Sequence, residues 1–177
     1  RLGQVLINLI SNAVKYNVDG GSVDIGIAVA DNAVRITVAD TGIGMTQDEV
    51  VQDLGTIAHS GAAAFLKQLQ EEKRPGVEMI GQFGVGFYSV FMVAEEVRVI
   101  SRSYKPEAEA VEWVSDGGSS YRVGPADKTS RGTRIEIKLK EDAADLASTW
   151  RLEQIVKKHS DFVQFPIYIG DKKEAVN

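Results

Sequence analysis

The hexapeptide Asp40-Thr41-Gly42-Ile43-Gly44-Met45 directly follows residues 34–39, in which apolar Val34, Ile36 and Val38 alternate with Arg35 and Thr37. Alternation with a period of two marks a half-buried strand, so the hexapeptide is the turn that leaves it. A carboxylate at such a strand end can only accept hydrogen bonds, and the exocyclic amine of adenine is a donor that would suit it. Gly42 and Gly44 are expected to let the backbone approach a ligand closely. Asp40 is therefore a candidate adenine reader. Asp and Gly are also the commonest turn formers, and the hexapeptide read alone is equally an ordinary Asp-Thr-Gly turn.

Upstream, residues 22–30 alternate through Val23, Ile25, Ile27 and Val29, and Asp31-Asn32 closes a hairpin onto the strand that ends at Asp40. Residues 1–16 place Val5, Leu6, Leu9, Ile10 and Ala13 at helical spacing, which makes one core face. The opposite stripe is Gln4, Asn8, Ser11, Asn12 and Lys15. A solvated helix face is usually rich in Glu and Lys, and Asn is a mediocre helix former, so two Asn one turn apart need a reason. Their amide oxygens are candidates to ligate a hard cation such as magnesium, itself holding phosphates. The competing reading is a pair of Asn that bond neighbouring loops.

Downstream, Thr46 with Glu49 three residues on opens a short helix through Leu54. Residues 55–61 form a linker, and residues 62–73 are helical until Pro75-Gly76 breaks them. The segment 46–80 lies between two candidate ligand loops and suits a mobile lid; a surface excursion without gating is the alternative. The second loop is Gly81-Gln82-Phe83-Gly84-Val85-Gly86-Phe87, followed by an apolar helix over residues 88–96. Three glycines ahead of a helix offer unhindered amides at its positive end, a recipe for holding phosphate, with tight helix packing as the alternative. The spacing is neither a Rossmann fingerprint nor a Walker loop. Residues 97–104, 110–115, 120–123 and 133–139 then alternate as strands joined by short links, which predicts sequential antiparallel pairing. Thr133 could place a hydroxyl beside Asp40, although a strand Thr needs no function. Residues 151–162 form an amphipathic helix through Leu152, Ile155, Val156 and His159, and residues 166–169 form a last strand. Neither His59 nor His159 has a visible triad or metal partner.

The 177 residues fit a single domain able to bury a core. A formal charge of -5 argues against a broad nucleic-acid or anionic-membrane surface, because those partners need clustered cations. A polyanionic ligand would need local help from amides or a metal. The absence of Cys removes disulfides, thiol catalysis and cysteine metal sites, and sits with a reducing, cytoplasmic compartment. No apolar run reaches membrane-spanning length and no signal peptide is visible. The start at Arg1, inside a helical pattern, reads as an N-terminally truncated fragment.

Read together, "DTGIGMT", "LGTIAHSG", "IGQFGVGFYS", "RGT" and "IVKKHSDFVQFPI" resemble, in order and spacing, the amino-terminal ATP-binding domain of the ninety-kilodalton heat-shock chaperones, the bacterial branch above all. The resemblance runs from about residue 34 to residue 169. It implies an α+β fold of Bergerat type: a two-layer sandwich whose mostly antiparallel sheet is covered on one face by the helices of the nucleotide pocket. It further implies ATP or ADP bound with adenine against Asp40, backbone contacts from Gly44, Met45 and residues 81–87, Thr133 supporting the base, and a lid over residues 46–80. For a full-length parent it implies client proteins and a second protomer as partners, with no nucleic acid and no membrane.

The first helix departs from that family. Where the chaperones carry Glu-Leu-Ile-Ser-Asn, with the Glu orienting the attacking water, this chain has Asn8-Leu9-Ile10-Ser11-Asn12. "RLGQVLINLISNAVKY" instead looks like the asparagine box of sensor histidine kinases, a sister family of the same nucleotide fold. That likeness implies that Asn8, Asn12, Lys15 and Tyr16 serve magnesium and phosphates. The chain thus looks like a hybrid, natural, reconstructed or engineered. The leading expectation is a magnesium-dependent ATP/ADP-binding module of chaperone type, with weak hydrolysis because Asn8 occupies the position of the general base. The alternatives are the ATP-binding catalytic domain of a histidine kinase and an interaction domain that has lost its nucleotide.

Overall fold

The computed structural model describes residues 1–55, 85–144, 147–160 and 163–177. Helix α1 (Leu2–Lys15) buries Leu2, Val5, Leu6, Leu9, Ile10 and Ala13, the face its apolar spacing predicts. Strands β1 (Val23–Ala30) and β2 (Ala33–Asp40) form the expected hairpin, paired from Val23↔Asp40 to Ala30↔Ala33. Asp31 and Asn32 both take positive φ, 53° and 56°, the backbone of a two-residue turn matched to strand twist. Helix α2 (Gln47–Val50) starts at a full capping box: the Thr46 hydroxyl accepts from the Glu49 amide, and the Glu49 carboxylate accepts from the Thr46 amide. A π-helical turn (Val51–Gly55) follows, held at its end by the Tyr88 hydroxyl donating to the Leu54 carbonyl.

A 3-10 helix (Val85–Met92) leads into β3 (Ala94–Arg102), followed by β4 (Val111–Ser115), β5 (Arg122–Pro125) and β6 (Gly132–Leu139). Two short helices, α3 (Glu141–Ala144) and α4 (Thr149–Ser160), precede β7 (Ile167–Ile169). The seven strands lie in the order β5-β4-β3-β6-β2-β1-β7, antiparallel throughout except for the parallel β1/β7 pair. The α+β expectation holds: α1 packs on both α4 and the 3-10 helix, all three pack on the sheet, and their apolar residues share a single core with it.

Three expectations need correction. The apolar helix over residues 88–96 is a 3-10 helix that ends at Met92, and Ala94 already pairs with Leu139. The strands do not pair strictly in sequence: β6 turns away from β5 and inserts between β3 and β2. His159 is exposed, and Ser160 takes the buried place in the last turn of α4. The predicted linker and helix over residues 55–73, and His59, lie outside the described residues beyond Gly55.

Candidate functional site

The insertion of β6 creates the site by stacking three cross-strand rows on the helix-covered face. Val97, Ile137 and Ile36 form the first row, deep in the core. Val99, Ile135 and Val38 form the second and line the floor of a cavity of about 830 Å³. One side-chain step further, Ser101 pairs with Thr133, and Thr133 adjoins Asp40 at the end of β2. An apolar floor with a few convergent polar groups at one end is the ordinary build of a small-molecule pocket.

Asp40 is held by main chain. Its Oδ1 accepts from the Gly42 amide at 2.8 Å and the Thr133 amide at 3.2 Å, and Oδ2 bonds no described residue. Burial pushes its carboxyl above the ordinary aspartate value; the two amide bonds and the positive charge of Lys128 pull the other way. Thr133 therefore steadies Asp40 with its backbone, while its hydroxyl bonds Ser101 at 2.9 Å. Ser101, fully buried, also accepts from the Met45 amide at 2.9 Å and so ties the hexapeptide to β3.

The glycines of the hexapeptide answer to chain packing before any ligand. Gly44 has φ +60°, and a Cβ there would overlap the Arg102 carbonyl oxygen; a Cβ on Gly42 would overlap that of Tyr16. Backbone bonds follow from this closeness: the Ile43 amide donates to Tyr16 at 3.0 Å, and the Tyr104 amide donates to Ile43 at 2.8 Å. Gly44 and Met45 nonetheless line the cavity.

The polar stripe of α1 forms the opposite wall, and its two asparagines differ. The Asn8 oxygen accepts from Gln4 Nε2 at 3.1 Å, while its nitrogen donates to the Gly86 carbonyl at 3.3 Å and to Ser89 Oγ at 3.0 Å. Asn8 thus ties α1 to the 3-10 helix while it also lines the cavity. The Asn12 carboxamide bonds no described residue and lines the cavity, leaving its oxygen available to a ligand or ion. Lys15 Nζ lies over the Tyr16 ring, 5.0 Å from its centroid, at the same cavity. Among the described residues no three His, Cys, Asp or Glu side chains come together as a metal cluster. An ion here would rest on the Asn12 oxygen and on the ligand's own phosphates, which suits a hard cation that keeps several waters.

Gly86 and Phe87 line the cavity, with Phe87 set edge-on to Tyr88 and Trp113. Gly81, Gln82, Phe83 and Gly84 lie outside the described residues, as does the side chain of Val85. Sequence reasoning missed Ser101 and the apolar floor. The alternation of each strand marks Val38, Val99 and Ile135 as facing one side, but their adjacency depends on the strand order. Among the described residues no helix is long and apolar enough to cross a membrane.

The family described as histidine kinase-, DNA gyrase B-, and HSP90-like ATPase matches residues 1–143. The match runs through both α1 and the sheet. The chaperone protein HtpG of Desulfitobacterium hafniense is 46% identical over 151 residues, covering 85% of this chain and 25% of that protein. HtpG of Chlorobium chlorochromatii is 48% identical over 154 residues, 81% of this chain and 24% of its own. The mitochondrial heat shock protein 75 kDa of Rattus norvegicus is 48% identical over 138 residues, 78% of this chain and 20% of its own. The chain spans at most about a quarter of the length of these relatives, and their identity favours the chaperone side over the kinase alternative. On the matched residues and the pocket they fold into, the chain belongs to the histidine kinase-, DNA gyrase B- and HSP90-like ATPase family, as an ATP-binding domain of the heat-shock-chaperone type.

Proposed function

We propose that this domain binds ATP and ADP with magnesium and serves as the nucleotide-binding part of a cytoplasmic heat-shock-type chaperone. The observation that carries the reading is the polar end of one pocket: Asp40 Oδ2, which bonds no described residue, stands near Thr133 at the edge of the Val38/Ile135/Val99 floor, in a cavity that Asn12 also lines. An acceptor next to a hydroxyl suits the amine edge of adenine, and the apolar floor suits its ring. Gly44 and Met45 edge the base. Asn12 holds magnesium, with Lys15 and the loop 81–87 contributing to the phosphates. Magnesium, when bound, offsets phosphate charge and orients the terminal oxygens.

Hydrolysis by this chain is slow in this reading. An attacking water benefits from a carboxylate base, and Asn8 cannot take up a proton at neutral pH. The Asn8 clamp on Gly86 and Ser89 gives the amide a reason to be there other than catalysis or metal binding. In a full-length parent the partners are client proteins, a reading that the chaperone name of the HtpG relatives supports, and a second protomer. The expected lid over residues 46–80 lies outside the described residues beyond Gly55.

Calorimetric titration with ADP and ATP, with and without magnesium, tests the reading. Saturable binding that tightens with the ion is expected. No heat of binding from either nucleotide in either condition refutes it.

A further inference from the structure

We infer that Ser101 sets the polarity of the Thr133 hydroxyl and thereby makes the pocket discriminate 6-amino from 6-oxo purines. The inference rests on the nucleotide reading and names its base specificity. Ser101 is 0% exposed, so it touches no ligand and acts as a positioning residue. Its hydroxyl has one proton to give. The Met45 amide donates to it at 2.9 Å, which occupies one lone pair. The 2.9 Å contact with Thr133 Oγ1 fits either hydroxyl as donor, but if Thr133 donated, the Ser101 proton would be left with the Gly132 carbonyl at 3.4 Å. A hydroxyl bond is well formed near 2.8 Å and poor beyond about 3.0 Å, so the proton goes to Thr133.

Thr133 then keeps its own proton for the cavity it lines. Beside it the Gly42 and Thr133 amides both point at Asp40 Oδ1, which leaves Oδ2 as an acceptor that no described residue engages. The wall thus presents an acceptor and a donor side by side. A 6-aminopurine offers the complement, an amine N–H next to an unprotonated ring nitrogen. A 6-oxopurine offers the reverse, a carbonyl next to a ring N–H, and meets both groups with like polarity. Without Ser101 the Thr133 hydroxyl is free to turn and present a lone pair, and half of the mismatch disappears.

The test uses ADP and inosine diphosphate, which differ at these two positions alone, on the whole chain by calorimetry. The unmodified chain should prefer ADP. Ser101→Ala should reduce the ADP-over-IDP preference about tenfold, one net hydrogen bond being worth up to roughly that factor, whereas Ser101→Thr, which keeps the hydroxyl, should retain it. In a Thr133→Val background, adding Ser101→Ala should leave the ratio unmoved, because the effect runs through the Thr133 hydroxyl. Equal weakening of both nucleotides by Ser101→Ala, or no change in either, overturns the inference and leaves the nucleotide reading standing. Should Ser101→Ala not fold, an ADP-over-IDP ratio in Thr133→Val equal to that of the unmodified chain overturns it as well. A chain that binds neither nucleotide removes the nucleotide reading and this inference together.

Discussion

Replacing Asp40 by Asn tests base recognition with little disturbance of the fold. Two main-chain N–H groups, from Gly42 at 2.8 Å and Thr133 at 3.2 Å, point at the same carboxylate oxygen. In the variant the amide must offer its carbonyl to them, since the flipped amide would set its own N–H groups against two donors at about 1 to 3 kcal/mol each. The amide nitrogen is thereby forced into the place of Oδ2, toward the cavity. There it opposes the amine of the base, replacing a charge-assisted bond by a donor against a donor. The expected loss of ADP affinity is about 2 to 4 kcal/mol, or roughly 30- to 900-fold. Calorimetry measures it, with the thermal midpoint as the check on folding. A folded Asp40→Asn variant with unchanged ADP affinity would falsify the assignment.

The same carboxylate predicts a pH signature. Burial raises its pKa in the folded chain, so protonation removes the acceptor, and weakens ADP binding, at a higher pH than an ordinary aspartate would. In the ligand-free protein the folded form binds this proton more readily than the unfolded form. The contribution to stability is therefore fully present below the unfolded pKa and is lost as pH rises through the folded one. Asn has no such titration, so the stability of Asp40→Asn relative to the unmodified chain should rise with pH across that window; a flat or falling difference in denaturant melts contradicts it. Asn12→Ala should weaken nucleotide binding only with magnesium present, and equal losses with and without the ion would return Asn12 to a structural role. Gly44→Ala combines a left-handed φ with overlap on the Arg102 carbonyl and should cost about 2 kcal/mol or more, a drop of roughly 4 to 8 °C in thermal midpoint; an unshifted midpoint refutes the packing argument. Phosphate release under saturating magnesium and ATP should be barely above that of the Asp40→Asn control. Asn8→Glu supplies a base but loses the donors to Gly86 and Ser89, so it should also lower stability by about 1 to 3 kcal/mol. Brisk, Asp40-dependent release from the unmodified chain would show that another residue supplies the base.

What the sequence determined by itself is what local geometry encodes. The apolar spacing of residues 2–13 selects the buried face of α1, because a helix brings every third or fourth side chain to one side. Asp31-Asn32 admits the positive φ values of a two-residue hairpin turn, and Thr46 with Glu49 caps a helix across three residues. The chaperone-like motifs reach further and point to Asp40 and Thr133 as members of one site. Tertiary structure alone decided how those members meet. Period-two alternation says which face a side chain takes and nothing about which strand lies beside it, so the insertion of β6 between β3 and β2 is absent from the pattern. That insertion brings the Thr133 amide to a carboxylate 93 positions away and sets Ser101 behind it. The two asparagines of α1 look alike in sequence. Both line the cavity, and they diverge because the 3-10 helix, 78 positions downstream at Gly86, docks against Asn8 and leaves the Asn12 carboxamide with no described partner.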